Sequence, residues 1–80
     1  MLVWVRVPSD DRFLSHQGVP AHPDMKAQEL LDKATQMWGL PEGKTYQLVR
    51  LHATGQQPVH LDKTLQENGL RDGDPIDLLG

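Results

Sequence analysis

The sequence predicts an α+β fold: a mixed sheet of four to five strands with one helix packed across it. Three observations predict it. The opening run LVWVRV, residues 2–7, alternates and is rich in β-branched and aromatic residues, the composition and period of a half-buried strand. Residues 25–38 repeat their apolar positions at helical spacing, and nothing else in the chain does so over a comparable length. The closing run PIDLL, residues 75–79, is a second alternating stretch. A lone amphipathic helix needs an apolar partner, and here only a sheet can supply one.

In LVWVRV, Val3, Val5 and Val7 share one face and Leu2, Trp4 and Arg6 the other. The valines are expected inward. Pro8-Ser9-Asp10-Asp11 is a turn cluster, and RFLSHQGV, residues 12–19, reads as a weaker second strand. Its pattern leaves open whether Phe13 or Leu14 faces the core. PAHPD then breaks the chain, and Asp24 is placed to cap a helix that begins at Met25. Ala27, Leu30, Leu31, Ala34, Met37 and Trp38 form its apolar side; Lys26, Gln28, Glu29, Asp32 and Lys33 form the other. Glu29 precedes Lys33 by four, the favourable order for a helical ion pair. Gly39 suits a left-handed C-terminal position, and Pro41 makes the stop firm.

TYQLVRLH, residues 45–52, is the next strand, followed by a loop from Ala53 to Gln57 around Gly55. PVHL, residues 58–61, is expected as a short edge strand, where Pro58 is tolerated because no ladder bond is asked of it. KTLQENGL is too short for a stable helix and reads as a single turn with Leu65 and Leu70 inward. Asp72-Gly73-Asp74 is a turn with Gly73 at positive φ. In PIDLL, Ile76 and Leu78 share one face, Asp77 and Leu79 the other. The helix then serves as the crossover that lets a later strand run parallel to an earlier one. The whole of residues 1–80 reads as a single domain.

Composition removes several function classes. With no cysteine, the chain has no disulfide, thiolate metal site or cysteine nucleophile. Eight basic residues against eleven acidic ones, a net charge of −3, argue against a nucleic-acid partner. No apolar run approaches the roughly 20 residues of a membrane span, and MLVWVRVPSD lacks the pattern of a signal peptide. The expected setting is cytoplasmic, with no membrane partner. His16, His22, His52 and His60 lack cysteine partners and helical pairing, so surface or loop roles are expected rather than a metal site. Asp72, Asp74 and Asp77 are close in sequence, but acid–base work needs burial or a pocket, and an 80-residue domain with one helix has little room for one. No catalytic residue and no cofactor are expected.

The order strand, strand, helix, strand, short strand, turn, strand is that of the β-grasp, and the chain resembles ubiquitin over nearly its whole length. The resemblance is carried by MLVWVRV with an aromatic at position 4, by Leu30 and Ala34, by GLPEG at 39–43, by TLQENGL, and by RDGDPIDLL. Among bacterial relatives the chain is similar to small YukD-like proteins, a group associated with type VII secretion. The chain departs from conjugated members of the family at its end: only Gly80 follows Leu79, without a glycine pair or basic tail. The segment between the first strand and the helix, and the loop from His52 to His60, are also longer than in ubiquitin.

The resemblance implies a partner-binding apolar patch on the outer sheet face, with Val49 and Leu79 facing solvent on adjacent strands and Arg50 bordering them. Trp4 and Leu2, which point away from the valine face, add to it; tryptophan is the strongest candidate because aromatics dominate binding hot spots. The expected function is therefore protein recognition by a non-catalytic ubiquitin-like protein, with pathway enzymes or secretion components as partners. The alternative is a covalent modifier activated at Gly80 by an adenylating enzyme, since glycine lets the backbone approach a narrow site. At ~3.3 Å per residue, one residue beyond the strand reaches too little for a deep channel unless the strand frays. A sulfur carrier would need the same terminal glycine as a thiocarboxylate and is the weakest of the three.

Overall fold

A computed structural model describes residues 1–8, 16–41, 43–52 and 55–80. The elements run β1 (Leu2–Arg6), β2 (Gln17–Pro20), α1 (Ala27–Trp38), β3 (Gln47–His52), β4 (Gly55–Pro58) and β5 (Pro75–Leu79). They build a five-stranded mixed sheet in the order β2-β1-β5-β3-β4, with one helix packed across it. Only β1 and β5 run parallel; β1–β2, β3–β5 and β3–β4 are antiparallel. This is the expected α+β class, in an arrangement compatible with a β-grasp. The turn cluster from Ser9 to Asp11, and the choice between Phe13 and Leu14, lie outside the described residues.

The core follows the alternation. Val3 and Val5 on β1, Val19 on β2, Leu48 on β3, and Ile76 and Leu78 on β5 are sealed on one face. Leu30, Leu31, Ala34 and Trp38 of α1 close over them in the same cluster. Met37 departs from the expected pattern and is half exposed, because it sits at the edge of the apolar stripe rather than over the sheet.

The start of α1 differs from the expected one. The helix begins at Ala27, and its preceding residue is Lys26 with no side-chain cap; Asp24 lies outside it. The reason is tertiary. The first N–H groups of a helix lack internal partners, and here the chain at 61–63 supplies them. Ala27 N–H donates to the Lys63 carbonyl (2.9 Å) and Gln28 N–H to the Leu61 carbonyl (3.0 Å). In return Leu65 N–H donates to the Met25 carbonyl (2.9 Å), and Lys26 and Thr64 form an isolated bridge. The other end matches expectation. Gly39 is left-handed at φ 62°, and its N–H and that of Leu40 return to the Gln36 and Thr35 carbonyls, a Schellman closure. Lys33 donates to the Pro20 carbonyl (2.7 Å), fastening the helix to β2.

The edge strand is displaced from its expected place. β4 spans Gly55–Pro58 rather than 58–61, because pairing of His52 with Gly55 starts the return at once. Gly55 at φ 137° permits the backbone to do so. The expected single turn does form. Leu65 and Leu70 are buried, and Thr64 and Glu67 cap one another: Thr64 N–H donates to Glu67 Oε1 and Glu67 N–H to Thr64 Oγ1, both at 3.0 Å. Gly73 adopts φ 86° in the turn closed by Asp74 N–H to the Arg71 carbonyl. That turn lies beside β1, since Gly73 N–H donates to the Leu2 carbonyl (2.7 Å) and Leu2 N–H to Asp72 Oδ1 (2.6 Å).

Candidate recognition surface on the open sheet face

The helix covers one face of the sheet. Strand alternation places Leu2, Trp4 and Arg6 of β1, Pro75, Asp77 and Leu79 of β5, and Gln47, Val49 and Leu51 of β3 on the other. Trp4 is paired with Gly18 on one side and Pro75 on the other. It is 40% exposed, one of two large apolar side chains in that state among the described residues. The Leu2 side chain lies over Gly18, where a side chain would meet it at 3.2 Å. Trp4 therefore stands on the open face beside Gly18 and Pro75, neither of which carries a bulky group to cover it.

Three expected site residues are placed differently from the reading of the sequence. Val49 was expected in solvent and is only 7% exposed. It occupies an inner strand, with Asp77 directly across on one side and Pro58 on the other. Arg50 does not border the open face. It sits opposite Ile76 on the helix side, where Nη1 donates to the Gly69 carbonyl (3.0 Å) and Nη2 pairs with Asp74 Oδ2 (3.1 Å). Alternation forces this: consecutive residues of a strand cannot share a face. Leu79 is on the open face but half-buried, four residues along β5 from the Trp4 partner Pro75. That separation is about 13 Å at ~3.3 Å per residue. Trp4 and Leu79 thus belong to two ends of the face.

Between those ends lies a group that sequence reasoning missed. Asp77 is 1% exposed. Arg6 grips it with a two-pronged guanidinium, Nε to Oδ1 at 3.0 Å and Nη2 to Oδ2 at 2.7 Å. His16, expected as a loop residue, brings Nε2 within 3.3 Å of Asp77 Oδ1. The hydrogen bonds to Asp77, and then its charge, push the Arg6 guanidinium still further up from its already high range. The signal in the sequence was one charged residue in each of two otherwise apolar runs. Knowing that Arg6 and Asp77 meet required the parallel register of β1 and β5. The outcome is a face with its charge neutralised in the middle, not a continuous apolar island.

Gly80 is exposed, and the ring of Tyr46 occupies the space a side chain there would need: a Cβ would fall against Tyr46 Cδ1 and within 2.6 Å of Cε1. Among the described residues, no group of three or more histidine, cysteine or carboxylate side chains is placed to hold a metal ion. No helix among them is long and apolar enough to cross a membrane.

A search of family models returned no match, and neither did a search of curated proteins. Among solved structures the chain is similar to a designed protein, dRafX6, with a TM-score of 0.67, 19% identity, and 96% of this chain and 91% of that chain covered. At that identity the likeness carries the fold alone. Fold and face together define a small α+β domain of β-grasp-like arrangement, with an open sheet face that presents a tryptophan.

Proposed function

We propose that this protein is a non-catalytic, ubiquitin-like recognition module, of bacterial and cytoplasmic type, that docks on partner proteins through the open face of its sheet. The partners are pathway enzymes or secretion components. Trp4 is the anchor. The observation that carries this reading is Trp4 itself, 40% exposed on a strand whose neighbours on that face are glycine and proline. A large aromatic held on a rigid strand loses little freedom on binding and buries much area, which is why such residues dominate interface energetics. The neutralised Arg6–Asp77 pair beside it supports the same reading, since it presents no free charge that a partner must desolvate.

The covalent-modifier reading rests on Gly80, and the Tyr46 ring gives that glycine a packing reason of its own. Recognition is accordingly the reading carried forward.

The test replaces Trp4 and leaves the core alone. Trp4→Ala should weaken capture of partners by about tenfold or more, roughly 1.4 kcal/mol, with the melting temperature little changed. Met37→Ala, which removes the other exposed large apolar side chain from the helix side, should leave capture intact. Quantitative pull-down with mass spectrometry, then titration of each captured protein, gives both numbers. Equal retention by wild type and Trp4→Ala would end the proposal.

A further inference from the structure

We propose that Tyr46 is a clamp that holds Gly80 against the sheet and orders this end of β5. The glycines elsewhere give the contrast. Gly39, Gly43, Gly55 and Gly73 have positive φ and open space around them, so conformation explains each one. Gly80 is outside the positive-φ set. What excludes a side chain there is an aromatic ring, with Cδ1 nearest, Cε1 at 2.6 Å and Cγ at 3.3 Å from the place a Cβ would take.

The pairing explains how the ring comes to lie there. Gln47 pairs with Leu79 and Leu48 with Leu78 in the antiparallel β3–β5 ladder. One step outward sets Tyr46 across from Gly80, on the face shared with Leu48, Leu78 and the helix. An aromatic laid over a cross-strand glycine compensates for the missing side chain and orders the strand end. The ring is itself fixed twice. It packs partly buried against the core, and its hydroxyl donates to the Pro41 carbonyl at 2.6 Å. It also walls a groove of about 360 Å³ between α1 and the following loop, together with Leu31, Asp32, Thr35, Leu40 and Lys44. A strand end with an exposed glycine is ordinarily the first place to fray. Here fraying must first lift Gly80 from the ring. The clamp is on the helix side of the sheet and Trp4 on the other, so the two proposals stand or fall separately.

NMR of the whole protein tests it. In the wild type the Gly80 Hα resonances should be shifted upfield by the Tyr46 ring, and the heteronuclear NOE of Gly80 should approach that of β5. Tyr46→Leu should return the shifts to random-coil positions and lower the NOE at residue 80, with the Val5 amide unchanged. Trp4→Ala should leave both signals in place. If Tyr46→Leu does not fold, the wild-type spectrum and Gly80→Ala carry the test, the latter raising mobility at residue 80 alone. Random-coil shifts with a low NOE at Gly80 in the wild type would overturn the clamp.

Discussion

Asp77 is 1% exposed on the face of the sheet that no helix covers. A carboxylate in that position is tolerable because Arg6 satisfies both oxygens. Removing one partner and removing both should therefore differ in sign. Arg6→Ala strands a buried charge and should lower the urea midpoint clearly. Arg6→Leu combined with Asp77→Leu should recover the midpoint to wild-type level or above, since buried ion pairs stabilise little over apolar replacements of similar size. A double variant as weak as the single one would show that the pair is a net source of stability. Trp4 makes the opposite residue-scale point: it is seated by its strand but not covered by it, so its loss should register in binding more than in folding.

The elements here are terminated as much by their neighbours as by their own residues. Thr64 and Glu67 cap a turn whose backbone, with the residues just before it, also supplies partners to the start of α1. Thr64→Ala should lower stability by about 1 kcal/mol, the usual value of a lost cap. The backbone hydrogen bond from Thr64, and then the Thr64 side chain, hold the Glu67 carboxyl below its usual range. A depressed folded value means that this stabilisation is fully present above the ordinary glutamate value and is lost as pH falls through the lower folded one. Stability measured by urea at pH 7 and at successively lower pH should fall through that window, and less steeply in Glu67→Gln, which keeps the cap without the titration. At the far end of α1, Gly39→Ala forces a Cβ into a left-handed position and should reduce stability by about 1 kcal/mol.

For the whole molecule, one helix against one sheet is the source of cohesion. Leu30 is fully buried between α1 and the strands. Leu30→Ala should cost about 2–5 kcal/mol, a large part of what a domain of this size has. Urea denaturation will show whether the variant remains folded at 25 °C; a loss below 1 kcal/mol would mean the core relaxes around the gap far more than its packing suggests. The same two-layer build makes the two faces of the sheet unlike. One sheet face is spent on the helix; on the other Val49 and Asp77 are buried and Trp4 stands 40% exposed.

Much of this was legible in the amino-acid order. Val3, Val5, Ile76 and Leu78 declared their inward faces by alternation, Leu30 and Ala34 declared the helix stripe, and Gly39 and Gly73 declared their turns, because these signals are local and depend on backbone period or allowed φ. The outward position of Trp4 was legible for the same reason. What tertiary structure alone decided is who stands opposite whom: the burial of Val49 on the strand between β4 and β5, the grip of Arg6 on Asp77, the turn of Arg50 toward Asp74, the start of α1 at Ala27, and the Tyr46 ring over Gly80. Each depends on strand register, or on a contact between distant parts of the chain, and neither is written in the spacing of residues within a single element.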